Sequence, residues 1–134
     1  MDEMNQSFED LTVYKKAFSL AMEIFEISKS FPKEERYSLT DQIRRSSRSV
    51  CTSIAEGYRK RDYSRHFISK SSDADMENSE TQVWLHFGLE CCYIEQLKHD
   101  ELFEKSEEVG KLLNHMIENP EKYLSKKRKL KGVE

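Results

Sequence analysis

The chain has 134 residues and a formal net charge of −3, with 37% hydrophobic and 35% charged residues. That length encloses one continuous core, and a charged fraction above the usual quarter or so suits slender helices with wet outer faces. The acidic balance argues against a nucleic-acid binder that is basic throughout, and four glycines with two prolines leave too little turn chemistry for an all-β fold.

No stretch approaches the roughly 18 apolar residues of a membrane span, and the start Met1-Asp2-Glu3-Met4 is acidic and polar. A cytoplasmic protein without membrane contact is therefore expected. Cys51, Cys91 and Cys92 are odd in number and suggest reduced thiols rather than a disulfide framework.

Ser7-Phe8-Glu9-Asp10 reads as a capping box opening a first helix. Leu11, Tyr14, Phe18, Ala21, Phe25 and Ser28 then alternate spacings of three and four, the seam of a bundle helix, until Phe31-Pro32 stops it. Ser38-Leu39-Thr40-Asp41 repeats the capping pattern before a second seam through Leu39, Ile43, Ser46, Val50, Ser53 and Gly57, flanked by Ser47 and Ile54. Its small residues predict close helix approach.

Either Asp62 or Ser64 suits the cap of the third helix. Its seam runs through Phe67, Ser71, Ala74, Asn78, Thr81, Leu85, Gly88 and Cys92 to about Ile94, a span of roughly 45–50 Å at the usual helical rise. Asp100 reads as the cap of a fourth helix with Leu102, Ser106, Val109, Leu113 and Met116 inward. The whole chain, 1–134, reads as a single all-α domain, an antiparallel up-down-up-down four-helix bundle with its core over 7–119. Residues 120–134 form a basic C-terminal tail, a frayed helical extension or a disordered segment.

If helices two and three fold about residue 60, Arg44 lies level with Asp75 and Glu77, and Arg48 with Asp73. Arg44, Arg45 and Arg48 are then expected to pair with Asp73, Asp75, Glu77 and Glu80, within a chain or between subunits. Asp73, Glu77 and Glu80 share a face, but the Glu-x-x-His pair of a di-iron bundle does not occur, so neither metal nor other cofactor is expected. His66, His86, His99 and His115 are scattered, with no HExxH, Cys-x-x-Cys or Gly-rich phosphate loop, so no catalytic residue is assigned.

The same topology makes the bundle electrically lopsided. Arg59, Lys60, Arg61 and Arg65 lie at the hinge between helices two and three, and the tail, with Lys126, Lys127, Arg128 and Lys129, leaves helix four at that end. Glu95, Asp100, Glu101 and Glu104 gather at the other. Cations interleaved with Tyr58, Tyr63 and Phe67 suit phosphate neutralisation and base stacking. A solvated loop whose tyrosines pack on the bundle end is the plainer alternative. Trp84, Phe87, Cys91 and Ile94 form a second apolar seam, read either as part of a wide core or, preferably, as a subunit interface.

Phe8-Glu9-Asp10-Leu11, Phe31-Pro32-Lys33-Glu34-Glu35, the block from Tyr37 to Ser46 and Ser53-Ile54-Ala55-Glu56-Gly57 resemble the four-helix-bundle family of 23S rRNA intervening-sequence proteins. The likeness extends through Glu80-Thr81-Gln82 and Tyr93-Ile94; Ser53 replaces the family's usual Asn, and its Gly-Ser step in helix three is absent. The resemblance implies a bundle assembling as a homo-oligomeric ring, often a pentamer. That family is similar to the accessory variability determinant of diversity-generating retroelements, which implies RNA or DNA and a reverse transcriptase as partners. A non-enzymatic nucleic-acid-binding bundle is the reading these features favour, with a protein-interaction scaffold as the alternative.

Overall fold

A computed structural model describes residues 7–130; the acidic start at Met1–Met4 and the stretch from Lys131 to Glu134 lie outside the described residues. Within them the elements are helical: α1 (Thr12–Ser28), α2 (Leu39–Arg59), α3 (Ser64–Glu90), α4 (Gln96–Glu118) and a short α5 (Lys126–Leu130), with 3₁₀ turns at Phe8–Asp10, Lys33–Glu35 and Pro120–Tyr123. No described helix is long and apolar enough to cross a membrane.

Cross-helix pairs set the topology. Arg44 and Arg48 of α2 reach Ser28 and Phe25 of α1, Arg45 and Glu56 reach Glu80 and Lys70 of α3, and His86 and Asn78 of α3 reach His99 and Ser106 of α4. In each case one number rises as the other falls, so neighbouring helices are antiparallel. α1 closes on α4 through Lys16–Glu108 and Lys105–Glu23, which leaves α1 diagonal to α3. The chain is an all-α, up-down-up-down four-helix bundle, as its seams predict.

The seams of α2 and α4 are buried as predicted, and that of α3 as far as Gly88. That of α1 differs. Val13, Ala17, Leu20, Ala21, Ile24 and Ser28 face inward, while Phe18 is 51% exposed. The predicted seam followed the aromatics, but the small residues lining α2 bring the helices close, leaving no room for Phe rings between them. Phe25 instead lies along the edge beneath two guanidinium groups, with Arg44 at 4.7 Å and Arg48 at 5.5 Å from its centroid.

Two apolar clusters fill the bundle. One gathers around Val13, Val50, Ile54, Phe67 and Leu113, the other around Leu20, Ile24, Ile43, Leu85 and Leu102. Between them lies a polar layer. Ser46 and Thr81 share a 2.8 Å hydrogen bond, and Asn78 donates to the Ser106 carbonyl while accepting from its hydroxyl, both at 2.9 Å. Gln82 completes the layer by donating to Ser106 Oγ at 2.9 Å. Each buried polar group here has a partner, so the layer favours one register without an unsatisfied group.

The helix ends depart from the predicted caps. Ser7 and Asp10 do form a reciprocal capping box, but it closes the first 3₁₀ turn, and extended Leu11 precedes α1. Ser38 does not cap α2: its hydroxyl donates to Glu35 Oε1 at 2.6 Å, and that same oxygen accepts the Leu39 N–H at 3.2 Å. A carboxylate suits the positive end of the helix better than a hydroxyl. Neither Asp62 nor Ser64 caps α3, and α4 starts after Glu95, leaving Asp100 one turn inside it.

α3 also ends earlier than predicted, at Glu90. The Tyr93 and Cys92 N–H groups bond the carbonyls of Gly88 and Leu89 at 2.9 Å, and Cys92 takes the left-handed conformation at φ 64°. This is the Schellman arrangement that reverses a chain at a helix end. It turns Ile94 back over Gly88, where it is 3% exposed and belongs to the second core cluster.

Candidate nucleic-acid interface

The hinge between α2 and α3 is built on Tyr58, which is buried against the bundle. Arg61 is fixed to it: Nη1 donates to the Tyr58 carbonyl at 2.9 Å, and the guanidinium lies 4.1 Å from the Tyr58 ring centroid. Arg59, Lys60, Tyr63 and Arg65 are exposed, with the Lys60 ammonium 6.0 Å from the Tyr63 ring centroid.

The tail returns to this hinge. After α4 the 3₁₀ turn at Pro120–Tyr123 lays Tyr123 against Phe67, ring centroids 5.5 Å apart, and the Tyr123 hydroxyl meets His115 Nδ1 at 3.0 Å. Ser125 then binds Asp62 twice, its N–H donating to Oδ1 at 2.7 Å and its hydroxyl to Oδ2 at 2.6 Å. The Ser125 oxygen also accepts the Arg128 N–H at 3.1 Å, which starts α5. Burial works against ionising Asp62, but the Ser125 hydrogen bonds and the charges of Arg61 and Arg128 outweigh it and hold its carboxyl below the usual carboxylate range. Lys126, Lys127 and Lys129 are exposed and Arg128 is half-buried. Hinge and tail cations therefore sit together at one end, and the tail is docked rather than frayed from α4.

The expected arginine–carboxylate network is narrower than its prediction. Arg45 alone of the three bridges to the acids, contacting Glu77 at 3.3 Å and also Glu80. Arg44 and Arg48 instead face α1, where Arg44 Nε donates to Ser28 Oγ at 2.7 Å. Lys70 takes Asp73, and Asp75 has no ion-pair partner among the described residues, burial pushing its carboxyl above the usual range. The reason is register. The hinge runs through Lys60 to Tyr63, so the fold point lies about two residues beyond the predicted one, and each residue of slip turns a side chain by about 100°.

The second apolar seam splits as well. Trp84 is half-buried, donating Nε1 to Glu80 at 3.0 Å, with its ring tilted 41° to that of Phe87 and the centroids 5.8 Å apart. Phe87 and Cys91 are exposed, but Ile94 lies in the chain's own core and leaves the proposed interface. Met76 and Val83, outside the predicted seam, extend the exposed stripe at 69% and 46%. Their helical spacing to Phe87 was the signal that could have found them.

The family model described as 23S rRNA-intervening sequence protein matches residues 9–115. The chain belongs to that family. No match is found among curated proteins. Among solved structures, it is similar to a protein of unknown function from the S23 ribosomal protein family of Bacteroides thetaiotaomicron, at 28% identity and a TM-score of 0.72. The likeness covers 79% of this chain and 95% of that one.

In this 23S rRNA-intervening sequence family member, the block that carries the resemblance does structural work. Leu39, Ile43 and Ser46 enter the core, while Gln42 accepts from Arg45 Nε at 2.9 Å and steadies it toward Glu80. Gly57 lets α3 approach, since a Cβ there would meet Lys70 Cβ at 3.0 Å. The tail lies beyond the family match, so the Asp62–Ser125 contact joins a residue inside the match to one outside it.

One contact was not legible beforehand. His86 Nδ1 meets His99 Nε2 at 3.0 Å, and His99 Nδ1 meets Asp100 Oδ1 at 3.0 Å, a chain stacked on Phe103. Among the described residues no group of three or more His, Cys, Asp or Glu side chains is arranged to hold a metal. At the other end of the rod, Asp100, Glu101, Glu104 and Glu107 border an open acidic groove beside Phe103 and Leu97.

Proposed function

We propose that this chain is a non-enzymatic bundle that assembles with copies of itself, as a pentameric ring, and binds RNA or DNA through its basic end. The observation that carries the reading is the Asp62–Ser125 latch. It holds Lys126, Lys127, Arg128 and Lys129 beside Arg59, Lys60, Arg61 and Arg65, so two clusters distant in sequence present one cationic surface. Such a surface gains binding free energy by releasing condensed counterions from phosphates, with little dependence on base sequence. Exposed Tyr63 offers a stacking face within it.

Support for self-association comes from the placement of exposed apolar residues. Phe18 and Met22 project from α1, whereas Met76, Val83 and Phe87 project from α3, on the diagonally opposite side. Two different patches on opposite sides favour head-to-tail contact, and head-to-tail contact that closes makes a ring. Every subunit of a ring faces its basic end the same way, so the patches join into a rim with high avidity.

The test is a titration of labelled single- and double-stranded RNA and DNA against the full chain at low and physiological salt, with light scattering for the mass. The reading expects micromolar or tighter binding in low salt, steep loss with added salt, and several times the mass of one chain. No binding in low salt sinks it. The acidic groove at Asp100, Glu101, Glu104 and Glu107 favours the second reading, a protein-interaction scaffold that meets a basic partner.

A further inference from the structure

At the basic end, the docked tail and the end of α2 border an open-mouthed pocket of about 260 Å³. Arg61, Lys122, Lys126 and Lys129 line it together with Tyr58 and Tyr123. None of its described lining residues is an Asp or Glu, and none of the four cations is in an ion pair among the described residues. The nearest acid that the tail uses, Asp62, has each carboxylate oxygen occupied by Ser125.

Asp62 offsets part of the Arg61 charge, but no carboxylate lines the pocket among the described residues, so Arg61, Lys122, Lys126 and Lys129 leave it net positive, and an anion between them relieves their repulsion. One wall is already set, because Arg61 is held by the Tyr58 carbonyl and ring. In the same tail, the buried Nε of Arg128, which does not line the pocket, lacks a hydrogen-bond partner among the described residues. The volume corresponds to roughly nine waters at about 30 Å³ each, more than a lone inorganic phosphate displaces and enough for a phosphate with part of its sugar.

We propose that this pocket seats a terminal phosphate of a nucleic-acid strand, in preference to the phosphates along its interior. This deepens the nucleic-acid reading above and rests on it. A terminal phosphate monoester carries a charge of about −1.5 to −2 at neutral pH. An interior diester carries a single charge and is matched by the exposed, separate Arg59, Lys60 and Arg65. Four cations lining one pocket are better matched to the doubly charged group, and charge-assisted hydrogen bonds to it are the strong kind.

Three RNA oligonucleotides of one sequence decide the matter: 5′-phosphate, 3′-phosphate and hydroxyl-ended, titrated against the full chain at physiological salt. At least one phosphate-ended strand should bind about tenfold tighter than the hydroxyl-ended strand. A Lys122→Gln, Lys126→Gln double variant should bring that ratio close to one. Arg59→Gln should weaken all three strands by the same factor and keep the ratio. Equal binding of all three strands by the wild-type chain overturns the pocket assignment and leaves the nucleic-acid reading standing. A double variant that keeps the wild-type ratio also overturns the pocket alone. Absence of binding by every strand, even in low salt, removes both.

Discussion

Asp62 and Ser125 lie 63 positions apart, yet the Asp62 carboxylate takes both the N–H and the hydroxyl of Ser125, at 2.7 and 2.6 Å. Asp62 is thereby diverted from capping α3, whose first turn has no side-chain cap. A local interaction has been exchanged for a long-range one, and the tail is held to the hinge.

Replacing Asp62 by alanine should therefore free the tail while leaving the bundle folded. Trypsin should cut after Lys126, Lys127, Arg128 or Lys129 several-fold faster in Asp62→Ala than in the wild-type chain, because cleavage follows the population of the open form. An unchanged cleavage rate would show that Tyr123 and its neighbours hold the tail without the latch.

The latch should also respond to acid. The folded Asp62 carboxyl lies below its ordinary value of 3.8, so docking is favoured above that value and lost as pH falls through the folded pKa. The Ser125 amide resonance, shifted downfield by its short bond at neutral pH, should move upfield with a midpoint below 3.8. A midpoint above 3.8 contradicts the assignment.

The polar layer should be more sensitive than its few atoms suggest. Asn78→Ala leaves the Ser106 carbonyl and hydroxyl without their Asn78 partner in a site where Ser106 is fully buried. A loss of about 1–2 kcal/mol is expected, read from urea unfolding, since two buried hydrogen bonds go while Gln82 still donates to Ser106 Oγ.

The end of α3 offers two changes of opposite sign. Cys92→Gly removes the strain of a left-handed side chain at φ 64° and should stabilise by about 1 kcal/mol. Gly88→Ala should destabilise by about 1–3 kcal/mol, because its Cβ would lie 2.5 Å from Ile94 Cδ1 within the core. Melting temperatures of the two single variants, moving in opposite directions, check both.

The helix-two arginines should separate by environment rather than by charge. Arg45 pairs at the surface, so Arg45→Ala should lose less than about 1 kcal/mol, and less again in high salt. Arg44→Ala removes a 2.7 Å charged hydrogen bond to buried Ser28 and a contact with Phe25, and should lose about 1.5–3 kcal/mol. Equal losses would contradict the division between α1-facing and α3-facing guanidiniums.

By itself the sequence determined the helices, their antiparallel order and the buried faces of α2 and α4, as well as that of α3 to Gly88. Those follow from local periodicity, because a residue at helical spacing has one face whatever surrounds it. The same logic brought the hinge and tail to one end, since three turns between four helices return the chain there. Tertiary structure alone decided the face of α1, where the space left by small serines outweighed the hydrophobicity of Phe18. It also decided which arginine meets which acid, because two residues of slip at the hinge are invisible to periodicity yet rotate every pair. Ile94 became core because a left-handed Cys92 turned the chain over Gly88. The docked tail, with its cationic pocket, depends on Asp62 finding Ser125 across the fold. Such a contact has no spacing to read and exists only once α2, α3 and α4 are packed.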